Sequence, residues 1–321
     1  MRFLYCFRLE NRFGEKSKMS FLSPYYIGTA LNLFSLLMVA ASGAFFALKT
    51  KEINLGGEGQ VYLGGFLAAI ILGNFGNQFD LGIFGKILLL IFAFGISVIS
   101  GMFLMLISIL LKKFSKIDVL LSSFLVSSGV IPIINFLING PFRDKSENLL
   151  ATEAIDQFFR FPVILKPSKL NISLIFVLLV FVLGFYLLYY TRRGKIFRLC
   201  GSEKEFALYS GFSVEANQNF GLLLSGGLYG LCGFLAVTGT YYMCHSGFFT
   251  QFGWNGLTIA LIANRKKGFL LPVALLLSFL LTWGNQLSLF TDFNSDVFLI
   301  LQGIILFFIT SKKSFNFGGK K

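Results

Sequence analysis

Charge is what this sequence has least of. Only 13% of its 321 residues are Asp, Glu, Lys or Arg, about half the share of a soluble globular domain. An ordinary water-soluble surface is therefore excluded. There is one histidine, His245, and there are four cysteines, Cys6, Cys200, Cys232 and Cys244. No two cysteines form a Cys-x-x-Cys pair, and Cys244 beside His245 offers only two adjacent potential ligands, too few for a metal site. No Gly-x-x-x-x-Gly-Lys-Ser/Thr run occurs, so the chain has no phosphate-binding loop of that kind. No paired acids, Ser–His arrangement or metal-ligand spacing licenses an enzyme. The expectation is a non-catalytic chain with no cofactor and no metal of its own. Residues 1–26 mix charge with aromatics and lack the apolar core of a cleavable signal peptide.

What is abundant is apolar surface. Hydrophobic residues make up 55% of the chain, and the mean hydropathy is +0.75. Runs of roughly 20 apolar residues recur, the length of helix that crosses a hydrocarbon core. They do not alternate as barrel strands would. The fold class is all-α: a polytopic membrane protein with about nine transmembrane or partly broken helices, at 27–48, 60–73, 86–111, 119–139, 171–190, 219–238, 248–264, 269–283 and 297–310. The second, seventh, eighth and ninth are short. Short, glycine-interrupted segments mark broken helices that line a cavity. One transmembrane domain over 27–311 is expected, between an N-terminal tail, 1–26, and a basic tail, 312–321.

The net charge of +13 suggests nucleic acid only in a soluble protein. Here the basic residues gather in loops, where they set orientation. Lys49 and Lys51 follow the first span, Lys112, Lys113 and Lys116 the third, and Arg192, Arg193, Lys195, Arg198 and Lys204 the fifth. Arg265, Lys266 and Lys267 follow the seventh, and Lys312, Lys313, Lys320 and Lys321 the ninth. Loops 239–247 and 284–296 have no Lys or Arg. The exits of the odd spans, and with them the C-terminus, are expected to be cytoplasmic in a multi-pass plasma (inner) membrane protein. Nine spans then put the N-terminus outside, against the rule, because residues 1–26 carry Arg2, Arg8, Arg12, Lys16 and Lys18. Either the tail is an exception or an opening helix is missing. The outer loop 140–170 reads as a solvated connector or a docking site for a soluble partner.

Three stretches stand out. In "INLGGEGQVYLGG", Ile53–Gly65, Gly56, Gly57 and Gly59 surround Glu58. A carboxylate in the first turn of a helix is stabilised by the helix dipole. Alternatively, Asn54, Glu58 and Gln60 line a polar path, since ionisable groups in membrane segments are expensive. The loop Thr191–Gly221 is long; Ser202 can cap a short helix begun by Glu203, Lys204 and Glu205, continued by Phe206, Ala207, Leu208 and Tyr209, and ended by Gly211. Such a helix either inserts into a groove on another protein or rests on lipid headgroups. In the sixth span, Gly226 and Gly230, like Gly221 and Ser225, have small-xxx-small spacing for close helix packing. "FGWNGLTIALIAN" sets Gly253, Trp254, Asn255 and Gly256 at another helix start, a loose echo of the Gly-Glu-Gly break.

These landmarks resemble a known family. "INLGGEGQVYLGGFLAA" is similar to the "NIGxEGQ" segment of permeases of ATP-binding-cassette importers for simple sugars, nucleosides and branched-chain amino acids. "NGPFRD" in the outer loop, "TRRGKIFRLCGSEKEFALYSGFSVEANQNFGLLLSGGLYGLCGFLAVTGT" and "GWNGLTIALIAN" follow in the family's order, over residues 24–310. The outer-loop motif resembles the nucleoside-type subgroup. Two departures bear on the partner contact: the family's asparagine after its "A-x-G" is absent from "LCGSEKEFA", and "LIANRKKG" replaces a neutral "LLG".

The resemblance implies a ten-helix permease fold lacking the first helix. It implies a second permease subunit, identical or paralogous, two ABC ATPase subunits, and an extracytoplasmic substrate-binding protein or lipoprotein, besides membrane lipid; no nucleic acid is expected. Loop 191–218 becomes the ATPase-coupling segment, with Glu203–Tyr209 docking in the ATPase. The implied function is import of a nucleoside or a ribose- or galactose-like sugar by ATP-driven alternating access. Asn32, Asn54, Gln60 and Asn255 are the cavity candidates, since amides hydrogen-bond sugar hydroxyls and purine edges, with Glu58 beside them. The rival reading is an ion- or proton-coupled secondary transporter for a small polar solute. A lipid-modifying transferase would need a polar catalytic cluster that the sequence lacks.

Overall fold

The structure, a computed structural model, describes residues 23–76, 82–145, 148–249, 251–264 and 268–290, with 300, 303 and 304. The expected span 297–310 and the basic runs Arg265–Lys267 and 312–321 lie largely or wholly outside the described residues, as do residues 1–22 of the N-terminal tail.

Helices account for most of it, because intra-segment hydrogen bonds satisfy a backbone in lipid. They are α1 (Pro24–Lys49), α2 (Gly57–Ile70), α3 (Ile83–Ser115), α4 (Val119–Asn139), α5 (Ser173–Tyr190), α6 (Arg192–Ser202), α7 (Lys204–Tyr209), α8 (Val214–Ala236), α9 (Phe252–Ala263) and α10 (Leu270–Phe290). A π-helical turn, Ile71–Phe75, extends α2, and another, Val237–Tyr241, extends α8. Among the described residues, five segments are long and apolar enough to cross a membrane: α1, α3, α4, α5 and α8 with its π turn. Of the others that match expected spans, α9 is the shortest, at 12 residues. Each of the first eight expected spans has a helix.

Burial sorts the helices. In the most apolar windows of α1 and α8, 78% of residues are buried, against 17% for α5. α1 and α8 are the central pair; α9 and α10 pack on α1, and α2 and α3 on α8. α3, α4 and α5 turn rows of exposed Ile, Leu and Phe outward, among them Ile83, Phe84, Phe136 and Leu179. Apolar exposure on that scale suits contact with lipid or with another membrane subunit.

Small residues let the central helices touch. A Cβ on Gly230 would collide with the carbonyl oxygen of Ser97, and one on Gly101 with that of Gly226. Gly230 also lies against Gly64 of α2, and a Cβ on Gly233 would strike the Val61 carbonyl. Gly221 abuts Thr50 and Phe197. Without a hydrophobic force between helices in lipid, backbone contact of this kind carries the packing.

The outer loop is more than a solvated connector. Residues 151–161 fold across one end of the bundle and bury Ile155 and Phe159. Backbone N–H groups of Thr152, Ile155 and Phe161 donate to the carbonyls of Cys244, Tyr242 and Thr238. Lys86 pairs with Asp156 at 3.2 Å, and this hydrogen bond holds the Asp156 carboxyl below its usual range. A two-stranded antiparallel hairpin, β1 (Val163–Leu165) and β2 (Leu170–Asn171), leads into α5. Its polar surroundings gave no period to read.

Candidate functional site

Two half-helices meet inside the bundle. At the basic end, Lys49 of α1 donates to Asn264 Oδ1 at 2.7 Å, so α1 and α9 finish at one level. The 12 residues of α9 span about 18 Å. Its N-terminus therefore lies about midway through a core of about 30 Å. There it meets the start of α2. A Cβ on Gly57 would come within 3.0 Å of the Gly253 Cα, and a Cβ on Gly253 within 2.6 Å of the Glu58 nitrogen. Only glycine permits this approach.

Glu58 stands in the first turn of α2, as the helix-dipole reading expects, and it also serves α9. Its Oε1 accepts the backbone N–H of Trp254 at 3.2 Å. Its Oε2 is buried and makes no hydrogen bond among the described residues. One carboxylate thus faces two helix N-termini, each with unsatisfied N–H groups and partial positive charge. The two glycine-flanked breaks that echo each other in the sequence touch in the structure.

Asn54 and Gln60 are committed to internal bonds. Asn54 Nδ2 donates to Gln60 Oε1 at 2.9 Å and to Ser225 Oγ at 3.0 Å, while Asn54 Oδ1 accepts the Gly56 N–H at 2.8 Å. They tie the chain between α1 and α2 to α8. Asn255 is buried in the first turn of α9.

Asn32 lies elsewhere, on the wall of a cavity of about 390 Å³ between α1, the end of α8 and α10. Its Nδ2 donates to Thr240 Oγ1 at 3.0 Å, and its Oδ1 accepts from Asn171 at 3.1 Å. Tyr25, Tyr26, Tyr241 and Phe252 supply ring surface; Thr29, Thr282, Asn285 and Gln286 supply polar groups. No Asp, Glu, Lys, Arg or His is among the described lining residues. Of the five path candidates, only Asn32 lines this cavity. Tyr241, Asn285 and Gln286 went unread because they sit at span ends, where polar and aromatic residues are ordinary.

The described residues contain no group of three His, Cys, Asp or Glu able to hold a metal ion. Cys200, Cys232 and Cys244 are free and buried. The His245 ring packs on Tyr241 and Phe248, with centroids at 5.0 and 5.9 Å, and its burial lowers its pKa from 6.5.

At the basic end, the expected loop is largely helical. Ser202 is not a cap: it is the last residue of α6, and Glu203 takes the N-cap position of α7 without a side-chain cap bond. Thr191 is the cap that forms, its Oγ1 accepting the Gly194 N–H at 3.1 Å. Gly211, at φ +78°, ends the pair. Phe206, Leu208 and Tyr209 are exposed, whereas Ala207 is buried against Cys200 and Val214. The segment is tied to α1 by Lys51 Nζ on Ser202 O at 2.9 Å and by Gln218 Nε2 on Thr50 O at 3.2 Å.

The profile of the family described as "Branched-chain amino acid transport system / permease component" matches residues 26–310. The chain belongs to this family. It is thus a permease of an ATP-binding-cassette importer, of the type that includes nucleoside and simple-sugar permeases. The permease is 33% identical over 300 residues to the "Probable riboflavin import permease protein RfuC" of Treponema pallidum, across 92% of this chain and 78% of that one. It is 24% identical to the guanosine ABC transporter permease protein NupP of Bacillus subtilis, across 91% and 83% of the two chains. It is 20% identical to a glucose ABC transporter permease of Haloferax volcanii, across 87% and 74%. No solved structure matches the permease. Membership implies ATPase and substrate-binding partners and a multi-pass place in a membrane.

Proposed function

We propose that this permease imports a neutral aromatic heterocycle bearing a hydroxylated sugar or polyol group, a nucleoside or a riboflavin-like molecule, by ATP-driven alternating access. The observation that carries the reading is the cavity around Asn32. Its tyrosines and Phe252 offer faces on which a planar ring stacks. Its amides and hydroxyls suit ring edges and hydroxyl groups. A zwitterionic amino acid would bring two charges to a lining with none among its described residues. Relatives named for riboflavin and guanosine point the same way, and the relative named for glucose keeps a free ribose- or galactose-like sugar as the competing cargo.

The coupling follows from one helix. α1 carries Tyr25, Tyr26 and Asn32 at the cavity, and the residues that directly follow its other end, Thr50 and Lys51, are bonded to α8 and α6. An ATPase that moves the α6–α7 segment pulls on the element that lines the cavity, which is what a two-state gate requires. A second permease subunit, identical or paralogous, completes the gate. Glu203–Tyr209 forms the docking segment, with Phe206, Leu208 and Tyr209 as its apolar contacts.

The test is uptake by the assembled transporter in proteoliposomes. ATP-dependent accumulation of guanosine or riboflavin, uncompeted by excess ribose, galactose or glucose, is expected. Gln286→Leu lowers it about tenfold, the effect of one lost hydrogen bond of about 1.4 kcal/mol. Accumulation of a free sugar that neither heterocycle inhibits overturns the assignment.

A further inference from the structure

On the basic half of the bundle, α1, α5, α6 and α8 enclose an apolar groove of about 740 Å³. Its floor is aromatic. Phe46 and Phe197 meet edge to face at 6.4 Å, and Phe197 and Phe220 at 6.5 Å. Gly184 of α5 keeps it open: a Cβ there would lie 3.3 Å from Phe46, so a longer side chain would fill the space.

One end of the groove is cationic. Arg192 and Arg193 line it, both exposed, and neither is ion-paired with a described residue. They occupy the first turn of α6, which has no acidic residue. Cations at a helix N-terminus oppose the helix dipole. An anion there is attracted by both guanidinium groups and by the α6 terminus together. Arg198, by contrast, is engaged, stacked at 4.8 Å over Tyr189 and bonded to the Leu188 carbonyl.

We propose that this groove is a binding site for an anionic phospholipid, its phosphate at Arg192 and Arg193 and an acyl chain along the phenylalanines. The groove opens among lipid-facing residues such as Leu183 and Leu187, so the occupant arrives from the bilayer. Its charged end lies at the level where the basic loops gather, the level of a headgroup. The site is separate from the cargo cavity; it rests on the membrane placement of the chain and not on the cargo. Through α6, its occupant steadies the base of the coupling segment.

The experiment is native mass spectrometry of the full chain in detergent, titrated with dioleoyl phosphatidylglycerol or dioleoyl phosphatidylcholine. The expected result is one phosphatidylglycerol retained per chain, with a preference of about tenfold or more over phosphatidylcholine. The preference falls to near unity in Arg192→Gln/Arg193→Gln and survives in Arg192→Lys/Arg193→Lys. Gly184→Leu lowers retention of both lipids. Equal retention of the two lipids by the unaltered chain overturns the proposal and needs no variant. So does a preference unchanged by the glutamine pair. In membranes, a cysteine at Phe185 that cross-links to another protein chain also overturns it, because the groove then holds a helix.

Discussion

At the scale of single residues, Glu58 concentrates the physics of this molecule. Its neighbourhood stands out in the sequence, where a carboxylate among glycines at a helix start either meets the helix dipole or lines a polar path. Its partner does not. Trp254 is 196 residues away, and no local pattern reports an N–H group so far along the chain. The carboxylate caps α9 from outside that helix. Glu58→Ala leaves the Trp254 N–H without its acceptor inside the bundle, at a cost of about 1–2 kcal/mol. The lower melting temperature of the purified chain measures it. Glu58→Gln keeps an acceptor oxygen and recovers most of the loss; equal damage by both substitutions would mean that the charge, not the hydrogen bond, holds the junction. Asn54 and Gln60 teach the converse. Amides in a membrane segment attract a cargo reading, yet these two bond each other and neighbouring residues, whereas Asn32, also bonded, to Thr240 and Asn171, lines a cavity.

At the scale of elements, α7 and the seam beside His245 each carry an expectation. A helix of six residues is too short to stand alone; burial of Ala207 against Cys200 and Val214 holds it. That leaves Phe206 and Tyr209 outside, so Phe206→Arg/Tyr209→Arg sets charge on the proposed docking face and is expected to abolish co-purification of the ATPase while the chain's unfolding free energy stays within about 0.5 kcal/mol of the parent, as for a surface change. Ala207→Arg, in contrast, lowers the melting temperature. The His245 seam depends on pH. Above 6.5 the ring is neutral both folded and unfolded. Below 6.5 the unfolded chain binds a proton that the half-buried ring refuses, so stability is lost as pH falls toward the lowered folded value. Between about pH 7 and 5, amide exchange at Cys244–Ser246 and in the facing residues 150–152 accelerates beyond its intrinsic rate, and His245→Gln removes the excess. α6 itself was not legible: its amphipathic turn is rich in arginine and resembles a solvated loop.

At the scale of the whole molecule, orientation is the consequence that reaches furthest. Basic residues follow the odd spans, so the α6–α7 segment is expected to face the ATP-bearing side. A cysteine in place of Tyr209, which is 91% exposed, reacts with a membrane-impermeant maleimide in inverted vesicles and is protected in intact cells; the reverse pattern removes the coupling assignment. Apolar runs, glycine breaks and loop charge determined by themselves that this chain is a helical membrane protein, roughly where its helices run and which permeases it resembles, because the cost of exposing a backbone to lipid acts on each segment separately. Only the tertiary structure decided that the two broken helices meet at Glu58, that residues 151–161 close over the bundle, and that Asn32 lines a cavity while Asn54 and Gln60 bond each other. Those outcomes depend on which distant segments share space, and the hydropathy of one segment carries no record of its neighbour.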